Sequence, residues 1–206
     1  MQEGYIGFRG PVDYYISVLK ALATCNQLQD ATIIIKPHPN MLLKLEDPTH
    51  NQIRLLEKDF TLALHIISEA RQLVSKTSGD VYIIDPSTPN ILLSKLPNVF
   101  GITYIGTCAL EFAFHGRKCI YTRLAPYSSV LNLGLCINES KDLMRSVEAD
   151  CGNILCPSSI NKEDLLGYYW SCFLAYDIVA ERNLTASISE VVASIGLANI
   201  LSMTKS

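Results

Sequence analysis

The sequence lacks the features that mark several large classes of protein. It contains no unbroken apolar run of roughly 18 residues or more, the length that crosses a bilayer, and its opening residues lack the order of a secretory signal. The formal net charge of −3 leaves no basic excess for binding nucleic acid. These absences predict a cytoplasmic protein with no nucleic-acid partner and at most a peripheral association with the inner face of a membrane.

Paired cysteines and several familiar catalytic motifs are also absent. The seven cysteines include no CxxC pair, which disfavours a structural zinc site or a dithiol redox motif. The chain has no Gly-x-x-x-x-Gly-Lys-Ser/Thr, Gly-x-Ser-x-Gly or His-Glu-x-x-His sequence. We therefore expect no metal site, and reduced thiols that fill the core.

The chain does contain short apolar runs of strand length, separated in several places by helical patterns. Most of these runs are nearly continuous in Ile, Val, Leu and Tyr, as in strands covered on both faces. Strands that alternate with helices predict an α/β fold, here a Rossmann-like parallel sheet with helices on both faces. The predicted strands are Tyr5–Phe8, Thr32–Lys36, Val81–Ile84, Val99–Thr103, Lys118–Tyr121 and Leu133–Ile137.

Helical patterns separate several of these strands, and after Cys156 the pattern is helical only. We expect residues 1–160 to form the Rossmann-like domain and residues 161–206 to form closing helices of the same domain. Packing of those helices onto something outside this chain is the alternative. The predicted helices begin at Pro11, where proline suits a first turn, and cover Asn51–Ser75, Thr88–Lys95, Thr107–His115, Ser140–Val147, Asn161–Arg182 and Ser187–Met203.

The segment Lys36-Pro37-His38-Pro39 follows a predicted strand directly. The prolines restrict the backbone on both sides of His38 and favour a rigid turn. Ligands of open α/β sheets bind at the carboxyl ends of strands, where a cation and an imidazole could neutralise or protonate a phosphate. The alternative is a turn whose histidine caps backbone groups.

A second polar turn, at Gly106 and Thr107, follows the strand Val99–Thr103. Glycine lets a phosphate approach the backbone, and a threonine at this point can cap the following helix. Glu111 lies one turn further on, where an acid could bind the hydroxyls of a ribose. The alternative is a capped helix with a solvated glutamate. Arg123, Tyr127 and Ser128 follow another strand end and are candidates for the sugar or acceptor side.

Together these residues resemble a known family. The strand followed by Lys-Pro-His-Pro, with a later Gly-Thr-x-x-Leu-Glu-x-x-x-x-Gly helix, is similar to bacterial capsule and lipopolysaccharide glycosyltransferases of the GT-B type. The His-Pro turn also resembles that of bacterial sialyltransferases and Kdo transferases. The resemblance implies that His38 is catalytic at the leaving phosphate and that Lys36, Pro39, Gly106, Thr107 and Glu111 bind the nucleotide.

The resemblance also implies partners and an architecture. The substrates would be a nucleotide-sugar donor, with a CMP-sugar favoured over a UDP- or CDP-linked one, and a glycan acceptor, without a metal or other cofactor. A GT-B enzyme has two Rossmann-like domains, and this chain matches the C-terminal, donor-binding half. We therefore expect little transfer without an N-terminal domain or partner chain. The alternatives are a glycerophosphotransferase, a nucleotide-sugar epimerase, or a non-catalytic half-domain that pairs with another chain.

Overall fold

A computed structural model describes residues 6–37, 63–75, 79–157 and 160–170. The backbone separates into two compact units, residues 1–160 and residues 161–206. The predicted turn residues His38 and Pro39 and the predicted helix Ser187–Met203 lie outside the described residues.

Helices and strands alternate in the first unit as far as β4 (Cys119–Thr122), which is followed directly by another strand. Two short 3-10 turns, Ser140–Asp142 and Cys151–Asn153, lie on either side of its last helix. In chain order the elements are α1 (Pro11–Thr24), β1 (Thr32–Ile35), α2 (described over 63–74), β2 (Asp80–Ile83), α3 (Asn90–Ser94), β3 (Gly101–Ile102), α4 (Cys108–Phe114), β4 (Cys119–Thr122), β5 (Gly134–Ile137) and α5 (Leu143–Asp150).

The described strands form two small sheets, both parallel. In the first sheet β1 pairs with β2, with Ile33 opposite Val81. In the second sheet β4 lies between β3 and β5, with Cys119 opposite both Gly101 and Gly134. Parallel neighbours require crossover connections. Helices lie in the connections from β1 to β2 and from β3 to β4, whereas the connection from β4 to β5 is a loop of turns over 123–133. The prediction of an α/β fold with parallel strands is confirmed in this form.

The core lies where α1 meets the strands and α5. Tyr14, Val18 and Leu22 repeat at four-residue spacing on one face of α1 and are almost completely buried, as an amphipathic helix requires. They share a cluster with Ile120 of β4 and Val147 of α5. Burial of each large apolar side chain contributes about 1.5–3 kcal/mol, so this cluster holds α1 in place.

The predicted strand Tyr5–Phe8 is wrong over its described residues. Tyr5 lies outside them, and residues 6–8 form no strand. The carbonyl of Ile6 instead accepts a 2.7 Å hydrogen bond from the backbone N–H of Ser140, so this segment pairs with the loop after β5. The predicted helix at Ser140 is also corrected, because a 3-10 turn precedes α5 there.

The second unit is described over one helix, α6 (Lys162–Tyr169). Asn161 caps this helix, since its side-chain oxygen accepts a 3.0 Å hydrogen bond from the backbone N–H of Glu163. The cap stabilises the start of the helix at the position predicted from the sequence. Throughout the described residues, every helix is too short or too polar to span a membrane.

Candidate functional site

The structure places Lys36 near Glu111, although 75 positions of chain separate them (111 − 36 = 75). Lys36 follows the last residue of β1, and Glu111 lies in the first turn of α4. The ammonium of Lys36 lies close enough to lower the pKa of the Glu111 carboxyl and of the Cys108 thiol, although burial raises both pKa values more strongly. Two of the residues predicted to bind a nucleotide are therefore in the same neighbourhood.

Three side chains fix the turn between β3 and α4. Thr103 Oγ1 accepts a 3.0 Å hydrogen bond from the Gly106 N–H, and the Tyr127 hydroxyl donates a 2.8 Å hydrogen bond to the Gly106 carbonyl. The Tyr15 hydroxyl accepts a 3.3 Å bond from the Tyr104 N–H. A Cβ on Gly106 would lie 2.7 Å from Thr103 Oγ1, so glycine permits this close approach. The turn is thus held in one conformation by distant parts of the chain.

The expectation that Thr107 caps α4 through its side chain is wrong. Thr107 has helical backbone angles, φ −68° and ψ −9°, and makes no capping hydrogen bond. A capping side chain normally needs an extended backbone to reach the N–H groups of the first turn. The Thr107 side chain is exposed instead, on the rim of the turn.

Glu111 is half-buried and has two polar neighbours. Its Oε1 accepts a 3.0 Å hydrogen bond from the side-chain amide of Asn90, the first residue of α3. Burial raises the pKa of the Glu111 carboxyl, and the Asn90 bond and the Lys36 charge lower it in part. The carboxylate is therefore oriented and partly stabilised, while it keeps acceptor capacity for another donor.

Sequence reasoning missed Asn90, Thr103 and Tyr15 at this site. Asn90 follows Pro89 at the start of a helix, and Thr103 is a polar residue at the end of a strand, which are weak local signals. Tyr15 lies in α1, where its position in the sequence indicates only helix packing. Its contact with the Tyr104 N–H joins positions 89 residues apart, which no local spacing reveals.

The three residues predicted on the sugar or acceptor side have different surroundings. Arg123 is exposed, and its backbone carbonyl accepts a 2.7 Å hydrogen bond from Ser128 Oγ. Tyr127 is only 1% exposed, so it supports the turn from beneath and does not face an acceptor. The pKa of Glu139 is lowered by its ion pair with Lys141 and, more weakly, by Arg123, which places the Arg123 guanidinium toward the end of β5.

Two surface cavities in the described residues lie away from this site. One, of about 460 Å³, lies along α2, beside Arg71 and Ser75. The other, of about 360 Å³, lies between α1 and the 3-10 turn before α5, beside Lys20 and Lys141. Neither is lined by Lys36 or Glu111. The candidate site is therefore defined by its polar residues and by its position at the strand ends.

The arrangement suits binding better than covalent catalysis by the chain. Burial raises the pKa of the Cys108 thiol, which keeps it protonated at neutral pH and weakens it as a nucleophile. Lys36 can pair with an anion, and Glu111 can accept hydrogen bonds from hydroxyl groups. A comparison of the chain with protein-family models, with curated proteins and with solved structures found no match.

Proposed function

We propose that this chain is the nucleotide-sugar-binding domain of a glycosyltransferase that builds a surface polysaccharide, capsule or lipopolysaccharide. The observation that carries the proposal is the proximity of Lys36 to Glu111, in the helix that follows the fixed turn at Gly106. The site offers a cation, an exposed threonine on the turn and an oriented carboxylate. A nucleotide diphosphate or monophosphate needs three such groups.

Each group matches one part of the donor. Lys36 pairs with phosphate oxygens, and charge-assisted hydrogen bonds of this kind are the strong ones. Thr107 is exposed at the rim of the turn that Gly106 makes possible, so its hydroxyl can donate a hydrogen bond to a phosphate oxygen. Glu111 accepts hydrogen bonds from the ribose hydroxyls, as an acid does near a dinucleotide. The Lys36 charge favours the ionised carboxylate that this role needs.

The reaction follows from charge balance at the leaving group. An acceptor hydroxyl attacks the anomeric carbon while the bond from that carbon to the phosphate oxygen breaks, and the electron pair goes to the phosphate. His38, which lies outside the described residues, supplies the proton or hydrogen bond, and Lys36 neutralises the developing charge. The base that deprotonates the acceptor belongs to the other half of such an enzyme, so the chain alone binds donor and transfers little sugar.

Titration calorimetry of the purified chain with CMP, CDP, UDP and GDP tests the proposal. We expect binding to one nucleotide class, with CMP favoured, and a loss of roughly tenfold or more on Lys36→Met, since a hydrogen bond to a charged group contributes about 1.5–3 kcal/mol. Lys95→Met removes an exposed lysine in the loop after α3 and serves as the matched control. His38→Ala should weaken phosphate binding in the same way.

Glu111→Gln separates the two parts of the donor. It should weaken CMP binding and leave the weak binding of inorganic phosphate unchanged, because only the nucleotide carries a ribose. The proposal fails if no nucleotide binds, or if Lys36→Met and Lys95→Met have equal effects. Efficient sugar transfer by the isolated chain would contradict the assignment to a donor half.

A further inference from the structure

Arg117 joins the end of α4 to the end of the neighbouring helix α3. Its Nε donates a 3.3 Å hydrogen bond to the Ser94 carbonyl, and its Nη2 donates a 3.0 Å bond to the Leu96 carbonyl. Ser94 is the last residue of α3, and Leu96 lies just beyond it. The last carbonyls of a helix have no partner within the helix, and arginine side chains can bond them. Arg117 therefore holds the C-terminal end of α3.

The backbone of Arg117 is itself fixed by the way in which α4 ends. Gly116 has a left-handed conformation, with φ 69°, and its N–H donates to the Ala113 carbonyl at 2.9 Å. The Arg117 N–H donates to the Phe112 carbonyl, also at 2.9 Å. This pair of bonds is a Schellman motif, which closes a helix and sets the path of the chain that follows. The guanidinium of Arg117 therefore extends toward α3 from a defined position.

The two helices are also joined at the other end of α3. Asn90, the first residue of α3, donates its side-chain amide to Glu111 Oε1 at 3.0 Å. Helix α3 has only five residues, and a helix rises about 1.5 Å per residue, so the two attachments are close together. A helix this short is not stable by itself, and its position depends on contacts of this kind. Glu111 and Arg117 thus hold opposite ends of α3.

We propose that Arg117 is a positioning residue for the carboxylate of Glu111: by holding the C-terminal end of α3, it keeps the Asn90 amide against Glu111 Oε1. The inference rests on the proposed function only where it assigns Glu111 to the ribose hydroxyls. Arg117 acts through α3 and is not itself a ligand of the donor. Loss of its side chain should let α3 shift, so that Asn90 no longer orients the carboxylate.

Binding measurements test the effect on the donor site. Arg117→Met should weaken CMP binding roughly threefold to tenfold in titration calorimetry, as loss of one orienting hydrogen bond does, and leave the weak binding of inorganic phosphate unchanged. Arg117→Lys keeps the charge but lacks the planar fork that reaches two carbonyls, so its loss should be smaller. Arg145→Met is the matched control, because Arg145 is exposed on α5 and pairs with Asp142, and it should leave CMP binding unchanged.

A second measurement needs no nucleotide. In carboxyl ¹³C NMR titrations, Asn90→Ala should raise the pKa of Glu111, because the Asn90 bond lowers that pKa. The same substitution should have little effect in the Arg117→Met background, where Asn90 has already left the carboxylate. Burial and the Lys36 charge also act on Glu111, and the double-mutant cycle removes what is common to both backgrounds. Arg117→Lys replaces Arg117→Met in the cycle if the methionine variant folds poorly.

An Asn90→Ala shift of equal size in both backgrounds would overturn the inference, because Asn90 would then hold Glu111 without help from Arg117. A loss of phosphate binding equal to that of CMP in Arg117→Met, or an equal loss of CMP binding in Arg145→Met, would overturn it as well. Failure of the proposed function looks different: no nucleotide binds the unsubstituted chain, while the coupling of Arg117 to the Glu111 pKa is still measured and still decides the positioning role.

Discussion

The hydroxyl of Tyr127 donates a 2.8 Å hydrogen bond to the carbonyl oxygen of Gly106. This bond ties the loop after β4 to the turn that leads into α4. The Tyr127 ring is buried against Tyr121, with ring centroids 5.4 Å apart, so the hydroxyl is held where the carbonyl needs it. The position of Gly106, and of any phosphate beside it, therefore depends on a residue in another loop.

Tyr127→Phe should remove this bond and keep the ring packing. A partly buried carbonyl left without its donor costs about 1–3 kcal/mol, so the free energy of unfolding should fall by that amount in urea titrations. Nucleotide binding should weaken as well, because the turn loses its anchor. Tyr82→Phe is the matched control, since Tyr82 lies on β2 and is 54% exposed. Equal losses for the two variants would show that the Tyr127 hydroxyl is dispensable.

The ionised Glu111 carboxylate should lower the free energy of unfolding at neutral pH, although it serves a binding role. The pKa of its carboxyl is raised in the folded state, chiefly by burial, so the folded state holds the proton at pH values where the unfolded state has lost it. The Glu111 contribution to stability is therefore largest below the unfolded pKa and is lost as pH rises through the folded pKa. Glutamine cannot ionise, so Glu111→Gln should remove this loss.

Urea unfolding of both proteins from pH 4 to pH 8 measures this effect. The stability of Glu111→Gln relative to the unsubstituted chain should increase as pH rises, while its nucleotide affinity falls. Glu148→Gln removes an exposed carboxylate on α5 and is the control for a change in net charge. A relative stability that decreases with pH would mean that Lys36 and Asn90 outweigh burial at Glu111.

Asn90 should tune the ionisation of Glu111. Its amide donates to Glu111 Oε1 at 3.0 Å and lowers the pKa of that carboxyl, so Asn90→Ala should raise this pKa further. Carboxyl ¹³C NMR titration reports it directly. Ser87→Ala is a reciprocal control, because Ser87 donates to Asp85 and lowers the pKa of that carboxyl. Ser87→Ala should raise the pKa of Asp85 and leave the pKa of Glu111 unchanged. A Ser87→Ala variant that shifts the pKa of Glu111 and not that of Asp85 would contradict the role assigned to Asn90.

The sequence pattern correctly predicted those helices and strands that depend on neighbouring residues. Helix α1 begins at Pro11 as expected, because proline suits the first turn and the apolar spacing continues from it. The isoleucine run at Thr32–Ile35 forms β1, since β-branched side chains favour strands. Ile6 also belongs to an apolar run, but its carbonyl pairs with Ser140, and that competing partner is far away in the sequence.

The candidate site was predictable only in part for the same reason. Lys36 and Gly106 were expected because each follows a strand. Their strands, β1 and β3, belong to different described sheets, so strand pairing alone does not bring the two residues together. The environment of Glu111 depends on Asn90, and the turn at Gly106 depends on Tyr127; each partner is 21 residues away. No sequence spacing encodes such contacts, because packing of α3 and of the loop after β4 creates them.

Gly101 and Gly134 lie on opposite sides of Cys119 in the second sheet and should differ when changed to alanine. A Cβ on Gly101 would lie 2.5 Å from Cys119 Sγ, whereas a Cβ on Gly134, whose φ is 136°, would meet the Cys119 backbone. Overpacking costs about 1–3 kcal/mol, so Gly101→Ala should lower the free energy of unfolding by that amount in urea titrations, and Cys119→Ala should restore part of the loss.

Gly134→Ala should cost more and gain nothing from Cys119→Ala, because removing the sulfur leaves the backbone clash and the strained φ unchanged. Gly152→Ala, with nothing within 4 Å of its Cβ, is the control. Equal rescue of both variants in a double-mutant cycle would contradict the parallel register in which Cys119 lies between the two glycines.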